Sequence, residues 1–171
     1  MPDDVGFAER QDLLEALERH RGFLRQTVDG LSEEQARART TVSKLTLGGL
    51  IKHVSLVEHG WASFIVGGPS EMGPMDADAY RRHAEGFHMS RSDTLAALLE
   101  GYSDVGRRTD ALVAALPSLD ATQPLPDAPW FERGVQRSAR AVLVHIIAET
   151  AQHAGHADII RESLDGTKTM G

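Results

Sequence analysis

The stretch from Ser138 to Leu164 carries four ionisable residues inside its apolar face, and this restricts the possible folds more than any other feature of the chain. With about 100° per residue in an α-helix and His145 at zero, Glu149 falls at about 40°, His153 at about 80° and His156 at about 20°. Val142 and Ile160 fall at about 60°, within the same arc. A surface helix separates apolar from ionisable side chains, so a helix that mixes them takes its imidazoles and carboxylate into the interior. They need partners there, because an unpaired buried charge is costly.

The rest of the chain supplies elements to bury that face. Leu13, Leu14, Leu17, Leu24 and Val28 recur at three- and four-residue steps, predicting a first helix over Glu9–Val28 that stops at Asp29-Gly30. Ser32-Glu33-Glu34-Gln35 has capping-box spacing and predicts a short helical turn. Thr46 caps a second long helix to Val66, with Leu47, Leu50, Val54, Val57, Trp61, Phe64 and Ile65 on its apolar face and Gly67-Gly68-Pro69 as its stop. A third runs from near Ser92 through Leu95, Leu98, Leu99, Tyr102, Val105, Leu112 and Leu116 to Pro117, and the fourth ends at Gly166. Residues 67–90 lack a period apart from a short helix near Asp76–Glu85. Residues 117–137, rich in proline, form a second long connection whose Trp130-Phe131 pair is expected to fold down onto the helices. The reading is an all-α four-helix bundle, one domain over residues 1–171, with two long connections and a topology other than simple up-down-up-down.

Composition excludes several functions. Lys plus Arg total 18 against 25 Asp plus Glu, a net charge of −7, so the global field does not attract nucleic acid or anionic lipid. The absence of cysteine removes disulfides, thiolate metal sites and a protein thiol nucleophile; thiol chemistry would need a small-molecule thiol. The acidic opening Met1-Pro2-Asp3-Asp4 does not resemble a leader and no apolar run reaches membrane-spanning length, so the expectation is a cytoplasmic protein without membrane or nucleic-acid partners. Phosphate-loop, dinucleotide, H-E-x-x-H and G-x-S-x-G motifs are missing. Leu47-Gly48-Gly49-Leu50 reads as close helix packing, since no strand precedes it.

On the second helix the same wheel puts His53 at the centre of the apolar stripe, while Lys52, Ser55 and His59 point away. Glu149 and His153, one turn apart, can chelate an ion from one helix, and His53 can complete the set from a facing one. Two imidazoles and one carboxylate are a catalytic ligand set, because three protein ligands leave a position open. Zinc suits them best; nickel, iron and manganese also accept nitrogen and oxygen donors. The competing reading is structural: E-x-x-x-H pairs recur by chance, and a buried His153 is satisfied by Glu149 alone. His145 and His156 are the candidate catalytic residues, as a general base or as donors that orient the ligands, with ordinary half-buried histidines as the alternative. His20 and Tyr102, on the apolar sides of their helices, are candidates to line a pocket. Asp158 and Arg161 are spaced as a surface or interface ion pair, and His83 and His88 carry no signal.

Two stretches, Thr46-Leu47-Gly48-Gly49-Leu50-Ile51-Lys52-His53 with Trp61 behind it, and His145 through Glu149-Thr150-Ala151-Gln152-His153-Ala154-Gly155-His156-Ala157-Asp158-Ile159-Ile160-Arg161-Glu162, resemble the DinB-like family of metal-binding four-helix proteins. The closest resemblance is to its actinobacterial branch of mycothiol-dependent enzymes. The resemblance implies an up-down-down-up bundle with a divalent metal on His53, Glu149 and His153. Many members carry histidine where this chain has Glu149, and the relatives of mycothiol-dependent maleylpyruvate isomerase carry glutamate. Those isomerases add a C-terminal domain that 171 residues do not accommodate, so the resemblance points to the thiol S-transferases.

The function so implied is a divalent-metal-dependent thiol S-transferase that joins mycothiol or a similar low-molecular-weight thiol to an electrophile, in detoxification or stress. Its partners are then the thiol and the electrophile, with a homodimer as the expected assembly. Two other readings stand beside it: a metal-dependent hydrolase using metal-bound water, and a stress-related metal-binding dimeric module without turnover.

Overall fold

In a computed structural model, which describes residues 3–169, the long helices are α1 (Asp3–Gln26), α3 (Leu47–Gly67), α5 (Leu95–Ala115) and α6 (Ala139–Asp165). Met1 and Pro2 of the acidic opening lie outside the described residues. Short α2 (Glu33–Arg37) and α4 (Ala79–Glu85) sit in the first two connections, and a 3-10 turn over Gly68–Met72 follows α3. Helix starts follow the capping residues: Thr46, Thr94 and Ser138 accept hydrogen bonds from the backbone N–H of Gly49, Ala97 and Ala141, and Ser32 forms its capping box with Gln35. Gly166 closes α6 at φ +81°, in the left-handed region where a side chain is disfavoured. The helix α1 starts six residues before the expected Glu9 and gives way to turns before Val28. The unexpected element is a two-stranded antiparallel ribbon of β1 (Thr122–Pro124) and β2 (Gln136–Ser138), which pins both ends of the proline-rich connection.

Side-chain links give the direction of each long helix. Arg140 pairs with Glu9 near the starts of α6 and α1, and Arg161 reaches the carbonyls of Thr27 and Asp29 just past the end of α1, so α1 and α6 run parallel. Arg10 donates to the Leu116 carbonyl, which sets α5 antiparallel to α1. His53 meets His153 while Trp61 meets His145, which sets α3 antiparallel to α6. The order is up-down-down-up.

Two apolar clusters fill the bundle. One gathers Leu24, Leu47, Leu50, Val54, Ala154 and Ile160 at one end, and the other gathers Leu17, Phe64, Val113, Val142 and Ile146 at the other. Between them Arg21 on α1 donates to both carboxylate oxygens of Glu58 on α3, at 3.1 and 2.5 Å, and both side chains are fully buried. Burial opposes the Arg21 charge, but the hydrogen bonds and charges of Glu58 and Asp110 outweigh it and leave the guanidinium more firmly protonated than usual.

The Gly48-Gly49 pair does serve close packing, at Gly48 against the Ala36 carbonyl of α2 and at both glycines against the connection before α5. A Cβ on Gly48 would collide with the Met89 sulfur, and one on Gly49 with the Phe87 carbonyl. Arg161 also departs from expectation: it is buried, donating to the Thr27 and Asp29 carbonyls of the turn after α1 and pairing with Asp165 at 3.0 Å, while Asp158 accepts from Thr169 instead. Arg161 shares the face of Ala157 and Ile160, so packing that face on α1 takes its guanidinium inside.

Removing one member of the central pair strands a buried charge. Arg21→Met is expected to lower the unfolding free energy by about 3–5 kcal/mol, with the double variant Arg21→Met/Glu58→Leu recovering most of that loss, as read by urea denaturation.

Candidate metal centre

Three helical positions bring the expected ligand set together. His53 lies nearly two turns into α3, held in the core by Leu50 and Val54 on its own face; Glu149 and His153 lie about one turn apart on α6, which faces α3. Each residue presents one ligand atom, and these atoms lie within 4.8 Å of one another. His153 Nε2 stands 3.6 Å from a Glu149 oxygen, while its Nδ1 stands 3.4 Å from His156 Nδ1. His53 is buried, stacked on Phe87 at 3.6 Å between ring centroids and edge-on to His153 at 4.9 Å.

The local electrostatics suit a cation. Burial pushes His53 down to about 3, helped by the nearby His153 and His83, so its ring is neutral and its nitrogen lone pair is available. Burial also lowers His153 and His145, partly opposed in both by the Glu149 charge. Two neutral imidazoles and one carboxylate thus converge with a single negative charge between them, the donor set of an open divalent site.

The site adjoins a cavity of about 600 Å³, large enough for a drug-sized molecule, which His153 does not line. His53, Glu149 and His145 line it, and Trp61 stands over His145 at 4.8 Å between ring centroids. His156 is exposed and does not line the cavity; its one link to the site is through His153. His20 packs against Phe23 away from the cavity, and Tyr102 is buried in the core instead of lining a pocket. Burial and the neighbouring Glu58 raise the Tyr102 pKa, so the hydroxyl keeps its proton. His59 is exposed, as its helical position implied.

Two neighbours of the site, and the buried Arg21 of the bundle core, escaped the sequence reading. His83 on α4 stands 5.3 Å from His53 between ring centroids and lines the cavity, but a seven-residue helix has too little periodicity to show its direction. Phe87, which covers His53, lies just past that helix in the same aperiodic segment. The buried Arg21 was legible: it occupies the slot between Leu17 and Leu24 where the apolar stripe should continue.

A family model described as MST: Mycothiol-S-transferase matches residues 12–166. The chain belongs to the mycothiol-S-transferase family. No curated protein matches the sequence. Membership agrees with the all-α DinB-like bundle and with a small-molecule thiol as partner of the site. No helix among the described residues is long and apolar enough to cross a membrane.

The depressed histidines link stability to pH. The unfolded chain binds protons on these rings below about 6.5, whereas the folded protein resists protonation until well below that value, toward about 3 for His53. Their contribution is therefore complete above neutrality and is lost as the pH falls. Chelator-treated protein is expected to show a denaturation midpoint that drops between pH 7.5 and pH 5, with a shallower slope in His53→Phe.

Proposed function

We propose that this member of the mycothiol-S-transferase family is a divalent-metal-dependent transferase that joins mycothiol to an electrophile. The observation that carries the reading is the convergence of His53, Glu149 and His153, two of which, His53 and Glu149, line a cavity of about 600 Å³. Zinc is the metal that the donor set fits best, with nickel, iron and manganese as the other candidates. A divalent cation held there would lower the pKa of the cosubstrate thiol and favour its thiolate.

The chain's own residues supply the rest. Burial keeps His145 neutral on the cavity wall, so its ring can accept the proton that the thiol releases. His156 does not reach the cavity and acts as a positioning residue, holding the His153 ring through the Nδ1 pair so that Nε2 faces Glu149. Residues of both long connections line the cavity and would limit the water around the thiolate sulfur once substrates are bound. In the transfer, a sulfur lone pair forms the new carbon–sulfur bond and the leaving group departs with its bonding pair. A detoxification or stress role, in a cytoplasm that keeps low-molecular-weight thiols reduced, follows from this chemistry.

The test is conjugation of 1-chloro-2,4-dinitrobenzene by zinc-loaded protein. Wild type is expected to form the thioether only when mycothiol is present, and His153→Ala is expected to fall to the uncatalysed rate while keeping its helical circular dichroism. Full activity in His153→Ala, or turnover independent of thiol, contradicts the proposal. His156→Ala is expected to bind zinc about 10–100-fold more weakly, measured by competition with a chromophoric chelator.

A further inference from the structure

The two long connections carry aromatic side chains that the folded core does not use. Tyr80 on α4 is 64% exposed and Trp130 is 43% exposed, yet their rings meet edge-on at 4.8 Å between centroids. From Trp130 the contacts continue inward to Phe131 at 6.2 Å, from Phe131 to Trp61 at 6.1 Å, and from Trp61 to His145 at 4.8 Å. Phe131 therefore folds down as its sequence context implied, whereas Trp130 stays at the rim and joins the other connection.

All five of these rings line the cavity that ends at His53 and Glu149. A clasp between the two connections would need only Tyr80 and Trp130; it does not account for a run of rings from the rim to the floor. Met72 and Met75 face the same space and add polarizable, adaptable contacts. The cation at this rim, Arg82, is occupied by Asp76 at 2.8 Å and by the Pro74 carbonyl, so it does not select an anionic substrate. What remains unmatched is aromatic surface leading to the nucleophile.

Resting on the transferase reading, we propose that the Tyr80–Trp130–Phe131–Trp61 wall seats the electrophile and selects electrophiles that carry a planar aryl group close to the reacting carbon. An aryl ring buried against this wall gains both burial and edge-to-face contacts, which a small aliphatic electrophile forgoes. The preference is expected to reach about tenfold or more.

A matched pair of α-bromoketones tests it. Phenacyl bromide and bromoacetone share one reaction with mycothiol: sulfur bonds to the methylene carbon, the carbon–bromine bond breaks with its electron pair to give bromide, and the thiol proton passes to His145 and from there to buffer. With each kcat/KM divided by the uncatalysed rate constant for the same pair, wild type is expected to favour phenacyl bromide at least about tenfold. Trp130→Ala and Phe131→Ala are expected to bring that ratio toward one. Equal normalised rates in wild type, or a preference unchanged in both variants, overturns the proposal while leaving the transferase intact. If neither compound is turned over, the transferase reading fails, and binding decides the wall separately. Trp61 and Trp130 are the chain's two tryptophans, so their indole N–H signals in a nitrogen–proton correlation spectrum report this cavity alone. Saturable shifts with acetophenone, about tenfold tighter than with acetone, support the aryl site. Acetophenone that leaves both signals unmoved rules it out.

Discussion

A layer of ionisable groups lies between the two apolar clusters of the bundle, and the remaining architecture depends on how that layer is neutralised. On one side Arg21 and Glu58 neutralise each other in full burial, with Asp110 adding a further bond to the guanidinium at 2.9 Å. On the other side His53, Glu149 and His153 do not close on themselves. Burial makes the two imidazoles neutral, and Glu149 brings a negative charge to their meeting point. One half of the layer is a finished ion pair between helices, and the other is a set of donors of which His53 and Glu149 line a cavity.

The finished half serves the open one. A metal site tolerates little error in ligand placement, so the helix carrying His53 must be held at several points. Glu58 ties α3 to α1, Lys52 ties it to Asp93 at 2.8 Å, and Gly48 and Gly49 let the connection before α5 lie directly against it. That last contact sets Phe87 over His53. On α6, Arg161 plays the corresponding part by locking the helix end to the carbonyls of Thr27 and Asp29 in the turn after α1. The buried polar residues outside the site thus supply position more than stability, since a buried ion pair adds little net energy over an apolar replacement.

Much of this was legible in the residues. The wheel put His53, Glu149 and His153 on buried faces, and helix ends followed the hydroxyl caps Thr46 and Ser138 and the closing Gly166, because these signals are local and repeat at helical period. The topology needed the resemblance, since periodicity states which face is buried but not against which helix. What the sequence did not disclose lies where periodicity is absent: His83, Phe87 and the Tyr80–Trp130 contact all sit on connections whose path depends on tertiary packing. The ribbon of β1 and β2 escaped for the same reason, as three-residue strands carry too few alternations to register. Arg161 was misplaced because an i, i+3 charge pair looks the same whether its face is solvated or packed.

Metal stoichiometry shows whether the open half of the polar layer holds a divalent ion, as we propose. Elemental analysis of zinc-equilibrated, dialysed protein is predicted to give one equivalent for wild type and none for His53→Ala or His153→Ala, with all three equally helical. Wild type that retains no zinc, nickel, iron or manganese, or variants that retain a full equivalent, would contradict the account and leave the buried histidines as packing alone.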